Sequence, residues 1–421
     1  MDIHLGGIMK FIHIADLHFG KSLYGYSLID QGDQKYWVDK FLELVDNEKP
    51  DAVLIAGDIY DRSVPSKEAV ELLDYFITSL ANRNVAVLAI SGNHDSGKRL
   101  SFGAELFQEK NVYIVGDIKS KIKKVTINDE YGPVNFYLLP YFFPALVEVA
   151  LGDESIKTYN EAIKALLANS DTDYNERNVI ISHQTVISNG EKLSFGGSEV
   201  IIGAVGEIDV SAYQGFDYVA LGHIHAAQKV KEDNIRYAGS PLCYHFDETK
   251  RPFKGPVIVN LKEKGKLDYH IAEIAPLHPL REVKGELKDI LIEESSNDKT
   301  NEYIRIVITD ELVPQTARDS LFTLFEAKNS MICEIAHEVK RESSTINNIC
   351  EGSDTKTISE LFNDFYRSRN GDEFPDEKDQ ELINMVEQQV MHVDDDEKVD
   401  VPNKNDIQKI IDFIMKQEEE A

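Results

Sequence analysis

Five polar motifs in this chain carry residue types able to hold divalent cations: Asp16-Leu17-His18, Gly57-Asp58, Gly92-Asn93-His94-Asp95, Ser182-His183-Gln184 and Gly222-His223-Ile224-His225. Asp, Asn and His supply the oxygen and nitrogen donors that suit manganese, iron or zinc, and no thiolate accompanies them as in a structural zinc site. The chemistry they point to is that of a two-metal phosphoesterase centre. Two cations about 3.5–4 Å apart can hold a nucleophilic water and a phosphate oxygen at once. Taken singly, each motif has an ordinary structural role: Asp16 and Gly92-Asn93 are turn formers, His183 a core histidine, and His223 with His225 one face of a strand. Five such motifs, each directly following an apolar strand-like run, exceed that explanation.

The runs that must position them alternate with amphipathic stretches from Lys10 onward, the pattern of a layered sheet with helices on its faces. Phe11–Ala15 is the first strand. A helix is predicted over Asp33–Asn47, with Trp37, Phe41, Leu44 and Val45 on one stripe and Pro50 ending it. Asp51–Ala56 is the second strand, and Ser66 caps a helix whose Ala69, Leu72, Leu73, Phe76 and Leu80 share a face. Val85–Ile90, Asn178–Ile181 and Phe216–Leu221 complete the strands that run into motifs. Ligand sites in such folds lie at the carboxyl ends of strands, where these motifs fall.

The full set D-x-H, G-D-x-x-D, G-N-H-D, an isolated S-H and G-H-x-H, spanning about residues 10–250 in that order, resembles the calcineurin-like metallophosphoesterase superfamily. Residues 92–107 (GNHDSGKRLSFGAELF), 15–21 (ADLHFGK) and 239–242 (GSPL) are similar to the SbcD family of nuclease subunits from bacterial SbcCD complexes. The resemblance implies a layered α/β sheet sandwich flanked by helices, with a small α/β capping domain and a C-terminal helical segment. It also implies DNA end processing beside an SbcC-type ATPase with a coiled coil. Exonuclease and single-strand endonuclease action on DNA ends, hairpins and single strands is expected, by a homodimer within a heterotetramer. The alternative is a phosphoesterase acting on nucleotides or small phosphodiesters.

Carried over residue by residue, the family pattern assigns Asp16, His18, Asp58 and His225 to one metal. It assigns Asp58, Asn93, His183 and His223 to the second, with Asp58 bridging and Mn2+ the expected ion. His94 is expected to orient the phosphate and protonate the leaving oxygen. Asp61 and Asp95 are read as orienting a histidine or closing a turn. Lys21, Lys98 and Arg99 lie close enough to these motifs in sequence to reach DNA phosphates. Lys119, Lys121, Lys123 and Lys124 form a second basic cluster, read as the solvated face of an edge strand.

The remaining composition sets limits. With 45 Lys plus Arg against 74 Asp plus Glu, the chain carries a net charge of -29. Overall charge therefore does not argue for binding a polyanion. Residues 371–421 hold 17 acids and 5 bases, so much of the imbalance belongs to the C-terminal end. Three separated cysteines, Cys243, Cys333 and Cys350, fit a reduced cytoplasmic interior. No apolar run is long enough for a membrane span. Met1–Ile8 lacks the pattern of a secretory signal and reads as an extension before Met9.

The expected organisation is an extension over 1–8, a nuclease domain over 9–276, a cap over 277–341, a linker over 342–356 and a partner-binding helical segment with an acidic tail over 357–421. Within the cap, strands are predicted at Tyr303–Thr309 and Met331–Val339 and a helix at Thr316–Lys328, with Leu321, Leu324 and Phe325 on one side. In the last segment Leu361, Phe362, Phe365, Leu382 and Val386 supply apolar stripes for the ATPase coiled coil.

Overall fold

The computed structural model describes residues 7–188, 193–194, 206–250, 254–314, 316–338 and positions 363 and 367. Among these, two six-stranded sheets face each other. Strand β1 (Met9–Ile14) pairs in parallel with β2 (Ala52–Ala56), and β3 (Ala86–Ile90) and β4 (Val112–Val115) extend the sheet in parallel. Two further strands close its other side antiparallel, after a second sheet has been built from the middle of the chain.

That second sheet contains β5 (Lys123–Asp129), β6 (Gly132–Leu139), β7 (Arg177–His183), β8 (Tyr218–Gly222), β9 (Gln228–Val230) and β10 (Glu232–Tyr237) in the spatial order β9-β10-β8-β7-β6-β5. Strands β11 (Val257–Leu261) and β12 (Leu267–Ile271) then return to the first sheet, giving β12-β11-β1-β2-β3-β4. Every residue of β2, β3, β7 and β8 is buried, which is why these strands read as continuous apolar runs rather than alternating ones.

Three cores account for the layering. Phe11, Leu54, Leu88, Phe136, Ile181 and Tyr218 fill the space between the sheets. Helices α1 (Asp33–Glu48) and α2 (Lys67–Asn82) cover the outer face of the first sheet through Trp37, Phe41 and Phe76. A short turn of helix, α3 (Gly97–Leu100), follows β3. Helices α4 (Pro144–Leu151) and α5 (Tyr159–Ala168) cover the second sheet through Val147, Ile163 and Leu166. Ser66 caps α2 as its sequence predicts, its side chain accepting from the Ala69 N–H at 3.2 Å. On α1 the expected stripe shifts: Val38 and Leu42 are fully buried whereas Leu44 is only half-buried, because the helix packs more broadly than one i, i+4 row.

The cap is a parallel three-stranded sheet, β13 (Leu280–Gly285), β14 (Tyr303–Ile308) and β15 (Met331–His337), carrying α6 (Leu287–Ser296) and α7 (Ala317–Glu326). Ile290, Ile304, Ile306, Leu321 and Phe325 form its core, while Leu324 is half-buried and Ala317 takes the inward position. Strand β13 and helix α6 are not among the elements the sequence predicts, because their apolar residues are diluted by charge. The cap is fastened at Asp33, whose carboxylate accepts from the Tyr303 hydroxyl at 2.8 Å and meets His278 Nδ1 at 3.0 Å.

Residues Met1–Val339 make one compact unit and Lys340–Ala421 another. Leu361, Phe362, Phe365, Leu382 and Val386, the positions expected to bind a partner, lie outside the described residues together with the expected linker and acidic tail. Among the described residues no helix is long and apolar enough to cross a membrane.

Candidate metal centre

Parallel pairing places Ile14 beside Ile55, Ala56 beside Ile90, and Gly222 beside His183. The carboxyl ends of β1, β2 and β3 thus gather on one sheet and those of β7 and β8 on the other. The five motifs leave these ends and converge.

Two groups of donors form. In the first, His18 Nε2 and His225 Nε2 lie 3.1 Å apart, and a carboxylate oxygen of Asp16 lies within 4.8 Å of both rings' donor atoms. That spacing suits two nitrogens each about 2.1 Å from one ion. In the second, Asn93 Oδ1 is 3.0 Å from both His183 Nε2 and His223 Nδ1. Asp58 lies between the groups: its Oδ2 is 3.6 Å from His18 Nε2 and 3.3 Å from His183 Nε2, while its Oδ1 accepts the His94 backbone N–H at 2.9 Å. All seven expected ligands are therefore brought together.

The donor set fits divalent cations on two further counts. Asp16 Oδ2 is buried without a hydrogen-bond partner among the described residues, a costly state for a carboxylate oxygen unless a cation takes it. The imidazole of His183 is fixed by the Ala56 carbonyl at 2.7 Å; a carbonyl only accepts, so Nδ1 keeps its proton and Nε2 is the nitrogen that faces the centre, free to bind a cation once its own proton has left.

Local backbone geometry explains the motif residues around the ligands. Asp16 (φ 55°), His18 (φ 44°), Asp58 (φ 48°) and His223 (φ 97°) occupy left-handed backbone, a conformation found at sites where surrounding packing holds a residue in place. The glycines answer a need for space, joined at Gly57 (φ 85°) by the same left-handed backbone. A Cβ on Gly57 would fall 2.3 Å from His183 Nδ1, on Gly92 2.1 Å from Asp58 Oδ1, and on Gly222 1.9 Å from the Ala56 carbonyl oxygen. Each motif glycine is the gap through which a neighbouring strand end approaches.

Electrostatics follow from this crowding. Burial alone would raise the Asp58 carboxyl, but the His183, His18 and His94 imidazoles outweigh it and hold Asp58 well below the usual carboxylate range. At Asp16 burial wins over His183 and His225 and raises the pKa to about 6. Burial would lower His183, but Asp58 and Asp16 draw it up to about 9. An arriving cation must displace the His183 proton below pH 9 and the Asp16 proton below pH 6. Metal affinity should therefore rise with pH, roughly tenfold per unit between pH 6 and 9. Mn2+ titrations at several pH values, with proton release read from buffers of different ionisation enthalpy, will check the slope.

Of the two less certain motif acids, Asp95 closes a turn by accepting from the backbone N–H groups of Gly92, Ile59 and Tyr60 at 2.9–3.0 Å. Asp61 Oδ1 lies 3.6 Å from His18 Nδ1 and accepts from Lys21 Nζ at 2.8 Å. Lys21 is therefore already paired, and it also lies 5.3 Å over the Tyr244 ring. Lys98 and Arg99 on α3 are exposed and make no ion pair among the described residues. In the second basic cluster, Lys123 and Lys124 begin the sheet's edge strand β5, and Lys121 pairs with Asp171 at 2.5 Å.

His94 stands exposed at the mouth. Its Nδ1 donates to the Asp61 carbonyl at 2.9 Å, so Nε2 is the nitrogen left for chemistry. Sequence reasoning missed the segment behind His225. Tyr244 donates to the Leu17 carbonyl at 2.7 Å and packs edge-on against His18 and His225, and buried Glu248 faces His225. Only the GSPL stretch at 239–242 signalled that this region mattered.

Fold and site together define a metal-dependent phosphoesterase of the two-metal class. The calcineurin-like phosphoesterase family matches residues 9–227, and the type 5 capsule protein repressor C-terminal domain family (SbcD_C) matches residues 276–370. The SbcD subunit of the SbcCD nuclease from Staphylococcus saprophyticus is 36% identical over 299 residues, covering 70% of this chain and 77% of the relative. Its namesake from Staphylococcus epidermidis is 33% identical over 305 residues, covering 72% and 79%. A solved structure, TT1561 of Thermus thermophilus, aligns with a TM-score of 0.34 at 10% identity over 63% of this chain and 99% of that one, too loose a likeness to bear on the fold. The chain belongs to the calcineurin-like phosphoesterases and, within them, to the SbcD nuclease subunits of SbcCD complexes.

Proposed function

We propose that this chain is the nuclease subunit of a DNA end-processing complex, hydrolysing phosphodiesters as a 3'–5' exonuclease and single-strand endonuclease at ends and hairpins. The observation that carries the reading is the convergence of seven oxygen and nitrogen donors from five strand ends around a buried, unsatisfied Asp16 oxygen. Asp16, His18, Asp58 and His225 would hold one divalent ion and Asp58, Asn93, His183 and His223 the other, with Mn2+ the proposed metal. When bound, such ions lower the pKa of a water and polarise the scissile phosphate.

The chain's own residues do the rest. Asp58 keeps Oδ2 directed between the two donor groups because the His94 N–H occupies Oδ1. His94 donates from Nδ1 to the Asp61 carbonyl, leaving Nε2 to contact the phosphate and deliver a proton to the departing sugar oxygen. No protein nucleophile is required.

The partner reading rests on the relatives' names, which describe one subunit of the SbcCD nuclease; an SbcC-type ATPase is the matching partner. A homodimer within a heterotetramer, the division into a nuclease domain over 9–276, a cap over 277–341 and a partner-binding segment over 357–421, and a cytoplasmic location complete the proposal. Exposed Lys98 and Arg99, close behind Asn93 and His94 in the chain, are the proposed DNA-phosphate contacts. Changing both to Gln should reduce the dependence of log Kd on log salt by up to about 2, roughly one per phosphate contact. An unchanged slope in fluorescence anisotropy would remove them from the interface.

The deciding experiment incubates wild-type and His94-substituted protein with Mn2+ and either linear DNA or a small phosphodiester, with and without the ATPase subunit. Mn2+-dependent DNA cleavage that is lost in the variant is expected. Turnover of the small ester with no DNA cleavage under any condition would sink the nuclease reading.

A further inference from the structure

The seven ligands account for the centre, but they do not account for an ion pair behind it, a buried carboxylate held by a largely covered ammonium. Glu248 is 1% exposed, and its Oε1 lies 3.6 Å from His225 Nδ1, on the opposite side of the ring from the Nε2 that meets His18. The other carboxylate oxygen of Glu248 is ion-paired with Lys254. Lys254 Nζ also reaches the Leu242 carbonyl at 3.2 Å, and the Ser240 hydroxyl contacts both Glu248 and Leu242.

The segment is tied directly to the ligand. The Ser240 N–H donates to the His225 carbonyl at 3.1 Å, and a Cβ on Gly239 would lie 2.8 Å from that same oxygen. Gly239 has φ +77°, so the GSPL stretch needs its glycine for both space and conformation. Burying a carboxylate and an ammonium together is costly, and replacing such pairs by apolar residues is often neutral or stabilising. A pair kept against that cost, and aimed at the far nitrogen of a metal-ligand histidine, has the form of an outer partner that fixes the imidazole's tautomer and direction.

We propose that Glu248, held by Lys254 and the Ser240 hydroxyl, is the positioning residue for His225. Its carboxylate keeps the proton on Nδ1, so that Nε2 presents its lone pair to the first metal site. Nothing equivalent is needed at His183, whose Nδ1 is held by the Ala56 carbonyl. The first site therefore depends on a charged side chain and the second on backbone. This assignment rests on reading the centre as a metal site, and it predicts that the two sites can be weakened separately.

The test uses the full chain. Mn2+ binding is followed by the electron paramagnetic resonance signal of free Mn2+, and the histidine ring nitrogens are followed by NMR in metal-free, 15N-histidine-labelled protein. Wild type should bind two ions. Glu248→Gln should weaken one of them roughly 10-fold and Glu248→Leu roughly 100-fold, the range seen when an outer partner of a metal ligand is lost. The other ion should bind unchanged, and in Glu248→Leu one histidine should move from a single Nδ1–H tautomer to a mixture. Because Glu248→Leu alone strands Lys254, the double variant E248L/K254M serves as the stability control. It should melt close to wild type yet keep the affinity loss at one site.

Equal affinity for both ions in wild type and E248L/K254M, with unchanged histidine signals, would overturn the role of Glu248 while leaving the metal centre intact. Parallel weakening of both sites would overturn it too, since that is what general structural damage produces. A wild-type chain that binds no divalent ion would overturn the centre itself, and this assignment with it.

Discussion

Replacing His94 with Gln is expected to slow DNA cleavage by about 100- to 10,000-fold while leaving two ions bound, the range attributed to a positioned general acid. The basis is a division of labour within one residue. The backbone N–H of His94 fixes Asp58 Oδ1, a contact that any residue other than proline retains at this position. Its ring contributes Nε2, with Nδ1 committed to the Asp61 carbonyl. Substitution therefore removes the proton donor and spares the bridge. Asp58→Asn should behave differently, losing ions and activity together, because the charge between the two donor groups is gone. Single-turnover cleavage measured beside Mn2+ stoichiometry separates the two. A phosphodiester with a nitrophenolate leaving group adds a diagnostic, since it departs without protonation and should narrow the His94→Gln deficit. Equal ion loss in the two variants would count against these roles.

How much of this architecture is legible in the amino-acid sequence depends on where the information is local. Strands β1, β2, β3, β7 and β8 can be read because each is a short apolar run ending in a polar motif, and helix α2 because Ser66 and the Ala69-to-Leu80 stripe agree. The ligands can be read because strand ends in such folds gather on one side. The Lys21–Asp61 pair cannot, since the partners are 40 residues apart and meet only when the ends of β1 and β2 align. Glu248 is hidden for a similar reason: it is one acid among 74, and only the fold carries it behind His225. Strand β13 and helix α6 are lost to charge: their few apolar residues stand among acids and bases, and only the fold shows that Arg281 spends its guanidinium on Glu294 and Glu302 inside the cap. The left-handed backbone at Asp16, His18, Asp58 and His223 is also invisible, since none of these residue types demands it.

The glycines turn that geometric dependence into the second prediction. Gly92→Ala is expected to abolish binding of both ions and to reduce cleavage at least as far as Asp58→Asn does, although the residue carries no donor. Gly92 does not adopt left-handed backbone, so space alone is at stake. The added Cβ would sit 2.1 Å from Asp58 Oδ1 and 2.3 Å from the Asp58 backbone nitrogen. The second of these cannot rotate away, so either Asp58 or the 92–95 turn must move. That turn carries Asn93 and is held to the Asp58 strand end by the Asp95 carboxylate on the Ile59 and Tyr60 N–H groups. Displacing it shifts the bridge and an Asn donor at once, and ligand geometry tolerates only about 0.2 Å. The fold should survive, because overpacking of this kind costs about 1–3 kcal/mol. Gly152→Ala supplies the comparison. It lies in open space at the end of α4 with φ +66°, so an alanine there incurs roughly 1–2 kcal/mol of backbone strain without touching any ligand. Similar losses in melting temperature with ion binding abolished only in Gly92→Ala would locate the defect in the centre; two ions bound by Gly92→Ala would show that the strand ends can part by the width of a methyl group and still hold their metals.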